Sequence, residues 1–188
     1  MNDLKIKKQL YQRTPLKILS FLSIHPEIVF SAKEISKAAK SSRGATNQTL
    51  RLFLKLDILS REKKGNLFLY KLYADNLVLK QFKIFEAVLC LQRLVKEIHP
   101  YCYDITLFGS RADGSNGEKS DIDLYIRTEY KKEVKKIINK YNSFEAKLQA
   151  IIEDPLESIE TKKENKVFYG QVEKGILLWK GKPSYESI

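Results

Sequence analysis

The sequence predicts an α+β fold in two parts: helices closed by a hairpin, then a mixed sheet with flanking helices, the two joined by a long connecting helix. Three observations predict it. Apolar residues recur at helical spacing through the first part and again between residues 77 and 94, whereas after Pro100 the pattern shifts to a period of two. Charge is divided unevenly: residues 1–75 hold 15 Lys/Arg against 6 Asp/Glu, so nearly all of the net +11 sits there. The resulting division is 1–75, a connecting helix over 76–99, and 100–188.

The elements follow in order. TPLKILSFLSIHP places Leu16, Ile18, Leu19, Leu22 and Ile24 close to helical spacing, with Thr14-Pro15 as a start signal and His25-Pro26 as a stop. SAKEISKAAK offers Ser31 as N-cap and Glu34 three residues later, a capping box. After the polar break Ser41-Ser42-Arg43-Gly44, ATNQTLRLFLKLDIL predicts a third helix. Its Leu50, Phe53, Leu54 and Leu56 face a core, and Asn47, Gln48 and Arg51 stay polar. ILSREKKGNLFLYKLY reads as two strands around a hairpin tip at Lys63-Lys64-Gly65-Asn66.

This order resembles a winged helix-turn-helix domain over roughly residues 10–75. A recognition helix of that kind needs polar side chains near its N-terminal end, where they reach base edges in the major groove. Ser42, Arg43, Thr46, Asn47, Gln48 and Arg51 stand there, and Lys63 and Lys64, with Asn66, are within reach of flanking phosphates or the minor groove. Arg reads guanine, and Asn or Gln reads adenine. The basic excess fits the same polyanion, because cations gain affinity by releasing phosphate counterions. The resemblance therefore implies double-stranded DNA as partner; a Lys-rich solvated surface or a protein-interaction module is the competing reading. Paired half-sites would suit a homodimer.

DNLVLKQFKIFEAVLCLQRLVKEIHP reads as one long helix ending at His99-Pro100, with a wide apolar stripe from Leu77, Leu79, Phe82, Phe85, Val88, Leu89 and Leu94. It suits a connection between domains, packing on both, or a dimer seam. No apolar run approaches the roughly 18 residues of a membrane span, and MNDLKIKKQL lacks the apolar core of a secretory signal. Cys90 and Cys102 form no metal-binding spacing, and His25 and His99 both precede proline in turns. A cytoplasmic protein without disulfides or a membrane partner is the expectation.

The chemistry concentrates in ITLFGSRADGSNGEKSDIDLYI, residues 105–126. On a strand of period two, Asp121 and Asp123 share one face while Ile122 and Leu124 enter the core. Adjacent carboxylates raise each other's pKa unless a cation neutralises them, and Mg²⁺ favours one or two carboxylates with substrate phosphates and water. Gly109-Ser110 ends the preceding strand, where backbone N–H groups and a hydroxyl approach a phosphate closely. Arg111 adds a guanidinium for the same anion.

Strand, Gly-Ser (LFGS, 107–110), ten intervening residues and DIDL (121–124) together resemble the DNA polymerase β-like nucleotidyltransferases in their minimal form, over about residues 100–181. The resemblance implies that Gly109 and Ser110 bind the triphosphate of an NTP, and that Asp121 and Asp123 are catalytic and hold Mg²⁺. It also implies a third carboxylate on a later strand, which helps hold a second metal and activates the attacking hydroxyl. That strand is KLQAIIE, and the matching position is Gln149, with Lys147 on the same face and Glu145 and Glu153 at the ends. Lys131, Lys132, Lys135 and Lys136 read as a solvated helix face, and Trp179 and Tyr185 as packing residues.

Two readings of function follow. One is a Mg²⁺-dependent nucleotidyltransferase moving an NMP onto an acceptor hydroxyl. The other is a DNA-binding transcriptional regulator whose nucleotidyltransferase-like domain binds nucleotide with little or no turnover. An antitoxin-like pairing with another protein also fits the minimal form.

Overall fold

A computed structural model describes residues 14–141 and 146–184, which divide into two compact units. Among the described residues the first comprises 14–83 with 115–118, and the second 84–114 with 119–141 and 146–184. Tyr185 and Glu145 lie outside the described residues.

In the first unit, α1 (Thr14–Ser23), β1 (Phe30–Ser31), α2 (Ala32–Ala38) and α3 (Arg43–Lys55) precede the hairpin β2 (Leu59–Lys64) and β3 (Leu67–Leu72). The three strands form an antiparallel sheet in the order β1-β3-β2. α1 stops before His25-Pro26, so Ile24 falls past its end and is exposed. α2 begins with the expected reciprocal cap: the Glu34 carboxylate accepts from Ser31 N at 2.7 Å, and Ser31 Oγ accepts from Glu34 N at 3.4 Å. The turn to α3 is tight because Lys40 takes a positive φ of 48° and Ser41 N donates back to Ser36 O at 3.0 Å. Arg43 and Gly44, expected in the break, already lie in the first turn of α3. The core joins Ile18 and Leu22 to Ile35, Leu50, Phe53, Ile58 and Leu72. Leu56 is half exposed instead of buried, because it is the C-cap and leaves the helical wheel.

The long helix α4 spans Leu77–Ile98. Its buried apolar residues are Leu79, Ala87, Leu91, Leu94 and Ile98, a narrower stripe than expected, and Lys83 is buried with them, its Nζ donating to Asn116 O at 2.6 Å. Phe85 falls on the opposite side of the wheel and Leu77 in the first turn, and both are exposed. No helix among the described residues is long and apolar enough to cross a membrane.

The second unit holds a four-stranded sheet in the order β6-β5-β4-β7. Its strands are β4 (Asp104–Phe108), β5 (Ile122–Arg127), β6 (Leu148–Glu153) and β7 (Ile176–Lys180). β4 runs antiparallel to both β5 and β7, whereas β5 and β6 are parallel, so the sheet is mixed. The helices are α5 (Ser110–Asp113), α6 (Lys131–Asn139), α7 (Pro155–Glu164) and α8 (Lys166–Glu173).

Strand alternation splits the side chains between two faces. Ile105, Leu107, Ile122, Leu124 and Ile126 pack with the α4 residues from Ala87 onward and with Val134 and Ile138 of α6. Phe108 and Tyr125 cluster with Val172, Phe168 and Tyr169 of α8 on the other face. Lys131 is not part of a free solvated face, for it pairs with Asp154 at 3.0 Å and with Glu157 at the start of α7. Trp179 packs as expected, its ring 4.4 Å from that of His99, which sits in a short 3₁₀ turn. Cys102 is buried, donates to Ile98 O at 3.1 Å and has its pKa pushed up to about 12, chiefly by burial, so it is an inert thiol.

Because the Ser31 cap is local and only partly buried, Ser31→Ala should cost about 1 kcal/mol of stability without altering the fold. Urea denaturation followed by circular dichroism checks this, and an unchanged midpoint would show the reciprocal cap to be idle.

Candidate functional site

β4 ends at Phe108, opposite Asp123 of β5, and Asp123 in turn lies opposite Gln149 of the parallel β6. This register gathers the motif residues at one end of the sheet. Asp123 shares its sheet face with Tyr125 through the strand period, while Ile122 and Leu124 anchor the opposite face in the core. Asp121 is the residue before β5, not within it, and the chain is held there by Ile122 N donating to Lys147 O at 2.8 Å.

Gly109 has a φ of 70°, a region that L side chains rarely adopt. A Cβ at this position would stand 2.6 Å from Asp123 Oδ2, so two independent constraints demand glycine. Its missing side chain is the space that the Asp123 carboxylate occupies. Ser110 follows as the first residue of the one-turn α5.

Arg111 has a structural part beside the expected one. Its Nε donates to Asp121 O at 3.0 Å and its Nη2 to Ser120 O at 2.9 Å. The guanidinium therefore fixes the backbone that presents Asp121, using a fork that was expected to face a phosphate. Its charge also opposes the shift at Asp123, whose pKa is raised first by burial and second by the Asp121 carboxylate.

Gln149 sits where the third carboxylate was expected and donates through Nε2 to Asp121 Oδ2. Glu153 does not substitute for it. That carboxylate accepts from Tyr125 Oη at 2.6 Å and from Thr161 Oγ1 at 2.7 Å, four residues along β6 and opposite Arg127. Among the described residues no group of three or more His, Cys, Asp or Glu converges as a metal site. Two carboxylates remain, with the Gln149 carboxamide presenting its Nε2 to one of them. Such a set fits a hard cation such as Mg²⁺, which takes few protein carboxylates and keeps several waters.

The residues expected to meet DNA lie in the first unit. Arg43, Asn47 and Arg51 recur every four residues and are exposed, on the side of α3 away from buried Leu50 and Phe53. Gln48 is exposed beside them. Lys33, which the sequence reading passed over, lines one recess with Arg43 and Asn47. Ser42 is exposed but serves as N-cap, accepting from Ala45 N at 3.2 Å. Thr46 corrects the expectation: it is fully buried, its hydroxyl donating to Ser42 O at 2.9 Å and lying 2.8 Å from Ser41 Oγ. It tightens the turn and faces no groove. Lys63 and Lys64 are exposed at the end of β2.

Residues 96–184 match the family described as Polymerase beta, Nucleotidyltransferase, and carry a nucleotidyltransferase-like domain. A crystal structure of a nucleotidyltransferase candidate from Sulfolobus solfataricus is similar at 18% identity, with a TM-score of 0.38, over 54% of this chain and 86% of that one. No curated protein matches the chain.

The charge at Asp123 has a consequence for stability. Its folded pKa lies above the ordinary 3.8, so the native state binds the proton more tightly than the unfolded chain. Stability should therefore fall as pH rises from 3.8 through the folded pKa, and stay lower above it. In metal-free buffer Asp123→Asn should be more stable than the parent at neutral pH, with the gain shrinking towards pH 3.8. Thermal melts across that range decide it, and a variant destabilised at neutral pH would contradict the repulsion.

Proposed function

We propose that the second unit binds a nucleoside triphosphate with Mg²⁺ at Gly109, Ser110, Asp121 and Asp123, and that the first unit is a winged helix-turn-helix that binds duplex DNA. In this reading the protein is a cytoplasmic DNA-binding regulator whose nucleotidyltransferase-like domain turns over slowly. The observation that carries it is the placement of Gln149, opposite Asp123 and donating to Asp121, where an acid would serve as base.

Each residue's part follows from its chemistry. Gly109 leaves the backbone open to a phosphate, and Ser110 offers a hydroxyl and an N–H to the same oxygens. Asp121 and Asp123 would hold the cation, and Arg111 keeps Asp121 in place through the loop backbone. Bound there, Mg²⁺ supplies charge neutralisation to the polyphosphate. Gln149 cannot accept a proton from an attacking hydroxyl, so NMP transfer with loss of pyrophosphate lacks its positioned base. The penalty for such a loss is about 10²–10⁴-fold.

The second reading, an active transferase with an unidentified acceptor, draws on the intact Gly-Ser and paired-acid pattern within the matched family region. Incubation with radiolabelled NTPs and Mg²⁺ separates the two. The regulator reading expects the parent protein to retain nucleotide and label acceptors weakly, and Asp121→Ala/Asp123→Ala to lose retention. Equal retention by parent and double variant would remove the site from consideration. Gln149→Asp should raise transfer by about 10²-fold or more, because it restores a carboxylate beside Asp123; a rapid parent that Gln149→Asp fails to improve favours the transferase.

For DNA, Arg43→Ala or Arg51→Ala should each weaken a selected site by about 1–3 kcal/mol, read by anisotropy titration. Unaltered affinity in both would sink the assignment of α3 to the major groove.

A further inference from the structure

The hairpin β2–β3 carries more apolar surface at its tip than a solvated turn needs. Its strands pair from Leu59 opposite Leu72 to Lys64 opposite Leu67, leaving Gly65 and Asn66 as a two-residue turn. Gly65 has the positive φ, 61°, that such a turn requires at its first position. Tyr70 and Leu72 point from β3 into the core. Phe68 shares their face but is 44% exposed, and Leu67 on the opposite face is 61% exposed. Apolar side chains therefore project from both sides of the tip.

The opposing strand surrounds them with positive charge. Arg61, Lys63 and Lys64 are all exposed, and the Arg61 guanidinium stacks over the Phe68 ring at 4.4 Å. Glu62 is the one acid on β2. A second copy of the same tip would bring like charges together, whereas duplex DNA offers phosphates to the cations and stacked bases to the apolar groups. Minor-groove binders combine these two chemistries, pairing cations with a Leu, Phe or Met wedge that parts a base step.

We propose that this tip is a minor-groove wedge: Leu67 enters a base step, Phe68, on the other face under the Arg61 stack, lies against the groove wall, and Lys63 and Lys64 neutralise the flanking phosphates. The inference rests on the DNA-binding reading and adds to it how the DNA is deformed. Because opening a step is cheapest at pyrimidine–purine sequences, sites with a TA or CA step under the wedge are favoured without any base-specific hydrogen bond there.

The test uses the full chain and duplexes that it selects from a random pool, carrying 2-aminopurine at the central flexible step. Binding of the parent protein should raise the fluorescence as the base unstacks. Leu67→Ala should abolish the rise and weaken binding about tenfold, the worth of one buried aliphatic side chain. The weakening should be equal at low and high salt, because no phosphate contact is lost, whereas Lys63→Ala should lower the salt slope by about one. Leu67→Met should keep both signals. Since Leu67 is exposed, its variants should melt like the parent, which excludes misfolding as the cause. DNA binding without a fluorescence change, or with full affinity in Leu67→Ala, overturns the wedge alone. If the folded parent protein selects no duplex at all, the DNA-binding reading fails and the wedge with it. If Leu67→Ala instead dissociates an oligomer in sedimentation without DNA, the tip is a protein contact and the proposal is wrong.

Discussion

Two carboxylates at one end of β5 set the terms for everything around them. Bringing Asp121 and Asp123 together costs electrostatic energy, and partial burial of Asp123 adds to it. The surrounding residues each answer part of that cost. Gly109 yields the volume that the Asp123 carboxylate fills, Arg111 lends positive charge while pinning the Asp121 backbone, and Gln149 donates to Asp121. None of them removes the charge. The pair keeps its mutual repulsion, and the proposed cation is what would relieve it.

Holding such a pair requires a rigid base, which the sheet supplies. Leu107, Ile122, Leu124 and Ile126 are almost wholly buried on the face opposite the carboxylates. A one-residue slip of β5 would turn Ile122, Leu124 and Ile126 outward and Asp123 inward, so the hydrophobic face fixes the register. That register aligns Phe108, Asp123 and Gln149 across three strands. The core thus fixes the position of a polar site whose two carboxylates repel each other.

What was legible in the sequence was local. The capping box at Ser31 and Glu34, the helix stop at His25-Pro26, the hairpin at Gly65-Asn66 and the alternation of DIDL all depend on residues a few positions apart, and all appear. Gln149 could be matched to its position because strand periodicity and motif spacing carry across a sheet. Less legible were partners that spacing does not reveal. Arg111 reads as a phosphate ligand, and no spacing shows that its Nε and Nη2 also hold the carbonyls of Asp121 and Ser120. Thr46 reads as a polar contact, yet its hydroxyl is used inside the turn. Lys131 reads as solvated, although Asp154 and Glu157 approach from a segment more than twenty residues away.

The consequence of Gln149 runs in two directions at once. A third carboxylate would add charge to a pair already repelling itself, and would be tolerable only with more cation bound. The amide keeps the local charge at two and returns a hydrogen bond to Asp121, so the site without metal is less strained than one with three acids. The same amide is uncharged at every physiological pH and so offers no base. On the proposed reading, a carboxylate pair kept beside an amide that accepts no proton favours occupancy of the site over turnover.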